Sequence, residues 1–152
     1  MNAKLLSLSA ATAVFIAAAA HGADAPATAD AIGGRQAAFR LSAATMGAIK
    51  AGLANGVDVK MLGFPSGAIA KWAHAIPGMF PAGSDGAPTH ALPTVWSDRA
   101  GFEKAAGDYA SAADAMAAAA KAGDRDAFSA AFAKTGAACD ACHKVYRQPD
   151  GH

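Results

Sequence analysis

Apolar side chains return every seventh residue along one stretch of this chain, at Ile32, Phe39, Met46 and Leu53. Gln36, Ala43 and Lys50 fill the intervening steps, which leaves one narrow stripe of the kind that packs against a neighbouring helix. The same spacing recurs at Phe102, Tyr109 and Met116, and steps of four and three join Phe128, Phe132, Thr135, Cys139, Cys142 and Tyr146. A shorter segment carries Ile69, Trp72, Ala73 and Ile76 on one face. No window shows the alternation of a strand. Four stripes of this kind predict an all-α chain folded as an antiparallel four-helix bundle.

Breakers and caps mark the helix ends. Gly56, Gly63, Pro65 and Gly67 interrupt the pattern after the first stripe, so the second helix is expected to begin near Ser66, with a loose bundle edge around "GFPSG". It stops at Pro77 and Gly78. "GMFPAGSDGAPTHALPTVW" is then a long loop, either a crossover or a wall around a ligand, with Phe80 and Trp96 capping a core at its two ends. Ser97 and Asp98 suit the start of the third helix, Gly123 ends it, and Asp124 opens the fourth.

At 152 residues, with 53% hydrophobic and 16% charged residues, the chain has room for one domain. Its beginning reads as a sorting signal: Lys4 precedes an apolar run from Leu5 to Ala20, followed by small residues suited to cleavage at about 20–23. The run is shorter than the roughly 20 residues of a membrane-spanning helix. The expected organisation is a secretory signal over 1–22, a flexible leader over 23–31 and the bundle over 32–148. Loss of Lys4 leaves Lys and Arg balanced against Asp and Glu, 12 to 12, so no basic patch for nucleic acid is implied. The mature domain, with no further apolar span, is expected in the periplasm.

"CDACH" holds both cysteines of the chain, Cys139 and Cys142, with His143 directly after the second. On a helix the two sulfurs emerge one turn apart with the histidine beside them. C-x-x-C-H is the spacing of c-type haem attachment: two thiols bond the porphyrin edge and the imidazole ligates iron. A thioredoxin-like pair would sit at a helix start beside strands, and no strands are visible. A disulfide across three residues gains little. A zinc site would need further ligands, and His21, His74, His90 and His152 show no matching spacing.

"RQAAF" on the first helix, "LPTVWSD" before the third and "CDACHKVYR" near the end together make the chain resemble the cytochrome c prime family, the class II c-type cytochromes, over roughly Ala31 to Gln148. The resemblance implies one haem c held by Cys139 and Cys142, with His143 as its iron ligand. It places Arg35 and Gln36 near a haem propionate, a role that suits a guanidinium; otherwise Arg35 is a solvated helix-face charge. It puts Phe39 on the distal side of the iron, where phenylalanine offers no lone pair and a five-coordinate, high-spin iron follows. Phe80 joins the haem surroundings from the loop, and Arg147 flanks the proximal face or merely caps the helix end. Met46, Met79 and His74 are the remaining side chains able to supply a sixth ligand.

A covalently held haem suits single-electron transfer to periplasmic redox partner proteins. An open face under Phe39 suits the binding of nitric oxide or carbon monoxide, and a low-spin methionine-ligated cytochrome is the third reading. With no acid or base assigned to the distal side, an enzyme is not expected. Alanine-rich surfaces on the first two helices admit a homodimer.

Overall fold

The computed structural model describes residues 25–86 and 88–149. The expected export signal and its cleavage bond lie outside the described residues.

Helix α1, Ala25–Ala54, starts earlier than the sequence reading placed it. The described part of the expected leader, residues 25–31, is helical: alanine is the best helix former, and Pro26 in the first turn removes a donor that would have had no partner there. The helix closes on Gly56, whose φ of +74° lets Val57 N–H reach the Gly52 carbonyl at 2.9 Å. A 3₁₀ turn, Val59–Leu62, follows, begun by Asp58, whose carboxylate accepts from Lys60 N–H. It leads directly into α2, Gly63–Ala75.

Helix α2 therefore begins three residues before Ser66, because Pro65 stands within the first turn, where it interrupts no bond. Nor is this edge loose on its inner side: Val59, Leu62 and Ser66 are all buried. A second 3₁₀ turn, Ile76–Met79, ends the segment, and a one-turn helix α3, Thr94–Ser97, precedes α4, Arg99–Ala122. Asp98 caps α4 by accepting from Gly101 N–H, Gly123 ends it at φ +76°, and Asp124 caps α5, Arg125–Tyr146, by accepting from Ala127 N–H.

Helices α1, α2, α4 and α5 form the four-helix bundle. Among the described residues there is no β-strand, only an isolated antiparallel bridge between Ala91 and Arg147. Helix α4 is the centre: it packs along both α5 and α2, and its seven-residue stripe, Phe102, Tyr109 and Met116, is buried as expected. Helix α1 leans on α2 and on the two 3₁₀ turns and makes few if any close backbone approaches to α5.

The two helices are joined instead at their ends. At one end the Arg125 guanidinium donates to the carbonyls of Leu53 and Val57. At the other, the loop after Met79 is held by Arg35 of α1, while its residues His90 and Leu92 pair with Gln148 and Tyr146 at the end of α5.

Candidate haem site

Helix α5 carries the motif on its last two turns. Cys139 and Cys142 are free thiols, half-buried against the core, and His143 is exposed. Cys139 is hydrogen-bonded to the Tyr109 hydroxyl of α4. Burial pushes its thiol up to about 11, with Asp140 and Cys142 adding to the shift and the Tyr109 bond opposing it. Burial raises Cys142 as well. Cys142 lines a cleft of about 290 Å³ between α4 and α5 together with Gly101, Ala105, Asp108 and Tyr146.

The end of α5 is fixed by Asp98. One carboxylate oxygen caps α4, and the other accepts from the Tyr146 hydroxyl at 2.9 Å. Thr94 adds a bond from its hydroxyl to the Val145 carbonyl. Arg147 caps the helix, its N–H reaching the His143 carbonyl, and its isolated bridge to Ala91 ties the end of α5 to the loop before α3.

Across the bundle, register relates α1 to the motif. Arg125 holds the chain at Leu53 and Val57, and the two helices run antiparallel at 1.5 Å per residue. Seventeen residues along α5 from Arg125 lies Cys142; the same count back from Leu53 reaches Gln36 and from Val57 reaches Arg40, a window of about one turn that contains Phe39. The pairing of Tyr146 with Leu92, close to Thr89 and hence to Arg35, gives the same register from the opposite end. Phe39 thus falls opposite the turn from Cys139 to His143, on a helix that makes few close backbone approaches to α5. Its ring meets Trp72 edge-on at 5.1 Å and Phe80 at 6.3 Å.

Arg35 is neither a surface charge nor an arm extended toward the motif. It is 2% exposed, its guanidinium donating to the Met79 carbonyl, to both the carbonyl and the hydroxyl of Ser84, and to the Thr89 hydroxyl. It lies over the rings of Phe80 at 4.3 Å and Trp96 at 5.7 Å. Burial lowers its pKa, though a guanidinium stays charged at any ordinary pH. Gln36 beside it donates to the Pro88 carbonyl. Both members of the expected propionate pair thus spend donors on the loop.

The other candidates separate cleanly. His74 is exposed and bonded to Asp114 at 2.9 Å, on the α2–α4 side. The Met79 methyl lies 3.5 Å from where a Cβ on Gly34 would stand, so that side chain packs on α1. Met46 is half-buried, two turns beyond Phe39. Sequence reasoning missed the acceptors around Arg35, because Ser84 and Thr89 come from a loop with no periodicity, and it missed Arg99, which donates to the Pro77 and Phe80 carbonyls from α4.

The residues present fit a haem. Two free thiols stand one turn apart beside an exposed imidazole, and Phe39, Met46, Phe132, Cys139 and Cys142 are apolar groups that the protein by itself only half covers. The Trp72 indole N–H, next to Phe39, is buried with no partner, a donor that a carboxylate-bearing ligand could satisfy. No three His, Cys, Asp or Glu side chains among the described residues cluster as a metal site of their own.

Comparison with known proteins agrees. The family model described as Cytochrome C' matches residues 30–147. The cytochrome c' of Rubrivivax gelatinosus is 38% identical over 123 residues, covering 78% of this chain and 95% of the relative. The crystal structure of cytochrome c' from Thermochromatium tepidum superposes with a TM-score of 0.75 at 33% identity, over 80% of this chain and 97% of that one. A nitric oxide complex of a mutant cytochrome c prime from Alcaligenes xylosoxidans does so at 0.74 and 30% identity, over 81% and 97%. With its four helices and its C-terminal pair of thiols, the chain belongs to the cytochrome c' family, whose cofactor is a covalently bound haem c with its iron.

Proposed function

We propose that this protein is an exported, periplasmic haem c protein with an apolar, non-ligating distal face, serving single-electron transfer between periplasmic partners. Cys139 and Cys142 form the thioether links, His143 supplies the proximal nitrogen, and Phe39 closes the distal side without a lone pair. When bound, the haem supplies a one-electron iron couple. The chain's contribution is a rigid apolar enclosure: Phe39, Phe80 and Trp72 exclude water on one side, and Asp98 with Tyr146 holds the end of α5 on the other.

One observation supports this reading: the anchored register, by which Phe39 of α1 falls opposite the turn of α5 that holds Cys139, Cys142 and His143. Residues Gln36, Phe80 and Arg147 belong to the surroundings of that space, as holders of the loop and the helix end. No helix among the described residues is long and apolar enough to cross a membrane.

The same geometry favours a second reading, binding of nitric oxide or carbon monoxide. Phe39 blocks the distal position without filling a ligand's place, and a structurally similar cytochrome c prime has been solved with nitric oxide bound. Absorption and electron paramagnetic resonance spectra of the haem-loaded protein test both. High-spin ferric iron and uptake of nitric oxide by the ferrous form are expected; a low-spin spectrum with a methionine-to-iron band would mean that Met46 or Met79 reaches the iron.

A second copy of the chain is the protein partner best supported. Leu41 on α1, Met61 and Phe64, the last 89% exposed, stand outward among the exposed alanines Ala44, Ala48 and Ala68, a small-residue surface on which two α1–α2 pairs can meet face to face. Sedimentation of the haem-loaded protein should show a dimer that Phe64→Glu dissociates; a parent protein monomeric at high micromolar concentration would exclude it.

A further inference from the structure

Phe80 is the hub of an aromatic chain that crosses the bundle from α2 to α5. Its ring lies 6.3 Å from Phe39, 6.1 Å from Trp96 and 5.0 Å from Phe102, while Phe39 meets Trp72 and Phe102 meets Tyr146 at 5.4 Å. The Arg35 guanidinium stacks over the Phe80 ring and binds the chain on both sides of it, at the Met79 carbonyl and at Ser84. Arg35 and Phe39 also occupy adjacent turns of α1. The two side chains that touch Phe80 from α1 are therefore a clamp and the residue that would cover the iron.

The clamp is stiff for a stated reason. The oxygens around Arg35 are all neutral and the side chain is almost wholly buried, so any outward movement of the Phe80 turn strands several donors of a charged group away from water. Arg99, by contrast, holds only the Pro77 and Phe80 carbonyls, shares its charge with Glu103 and is partly exposed. It secures the backbone of the turn from outside and lies over the ring of Phe102, at 5.5 Å.

We propose that Arg35 is a positioning residue that fixes Phe39 through Phe80 and so sets how readily a small diatomic ligand passes Phe39. The proposal rests on the assignment of Phe39 to the distal side. Arg35 touches neither the iron nor its ligand; it acts by denying Phe80, and hence Phe39, a second arrangement.

The test uses the full haem-loaded chain and two readouts, the rate of carbon monoxide association with the ferrous protein and amide exchange across residues 79–84. Because Arg35→Met removes a buried charge and several hydrogen bonds at once, the acceptors are changed as well, in a Ser84→Ala/Thr89→Val pair. Both variants should accelerate exchange in this segment and raise the association rate at least about fivefold, and in a Phe39→Ala background the same changes should add less than about twofold. Faster exchange with an unchanged association rate, or a full acceleration that persists without Phe39, would overturn the role of Arg35 while leaving Phe39 distal. An association rate unmoved by Phe39→Ala alone would overturn the distal assignment and the inference that rests on it.

Discussion

Helix α4 with its neighbours α2 and α5, and helix α1 by itself, are held by different forces. Between α4 and its partners the core is largely alanine: Ala106, Ala110, Ala113, Ala120 and Ala131 are buried beside Met116 and Phe128. Small side chains let the helix axes come close and leave little space between them. Among its described side chains, helix α1 gives the buried set only Ile32, Ile49 and the charged Arg35, while Phe39, Met46 and Leu53 stay half-covered. It is tied down at its ends by arginine bonds to backbone carbonyls and loop hydroxyls. The difference teaches how a bundle can be rigid and still accept a flat apolar group: pack two helices on a central third, and hold the fourth by polar tethers at its ends.

Changes that break this contrast should differ in size and in place. Phe128→Ala, in the fully packed half, should cost about 3–5 kcal/mol in urea unfolding, since a large buried ring leaves a cavity that tight neighbours cannot close. Gly101→Ala comes next, at about 1–3 kcal/mol, because the new Cβ would collide with the Asp98 carboxylate and the Tyr146 hydroxyl that together lock α4 to the end of α5. Thermal and urea melts should both register it, and an unchanged midpoint would mean that this lock is slack.

Arg125→Ala sharpens the other side of the comparison. It should cost only about 1 kcal/mol, yet accelerate amide exchange at Leu53 and Val57 while leaving the α4–α5 amides alone. Equal acceleration in both halves would deny that α1 is separately tethered.

The smallest effect concerns the haem-free chain at alkaline pH. The Cys139 thiol ordinarily titrates at 9.0 and is held at about 11 by burial, so the folded form retains a proton that the unfolded form gives up first. Stability from this group is complete below pH 9 and is lost as pH rises toward 11. Urea midpoints should fall over that window, and less so in Cys139→Ala.

The fold was legible where periodicity carries it. The stripe of α4 is buried where its spacing put it, that of α5 is buried at Phe128, Thr135 and Tyr146 and half-covered at Phe132, Cys139 and Cys142, and Asp98, Gly123 and Asp124 end and begin helices as their chemistry requires. The start of α2 was misplaced because Pro65 breaks a helix only beyond its first turn. Of the site, the motif on α5 was readable from three side chains within five residues. The environment of Arg35 was not: its acceptors lie 44 to 54 residues away, in a segment whose path no pattern encodes. Ile49, fully buried, escaped the seven-residue stripe because it lies three residues after Met46, on the neighbouring row that a strict repeat omits.

The central claim is that Phe39 and His143 face one another across the space between α1 and α5. The most direct measurement is the ferric and ferrous spectrum of haem-loaded Phe39→Met. A thioether placed at that position should reach the iron and convert a high-spin protein to a low-spin one with a methionine-to-iron charge-transfer band. A variant that folds, binds haem and remains high-spin would contradict the register on which the account stands.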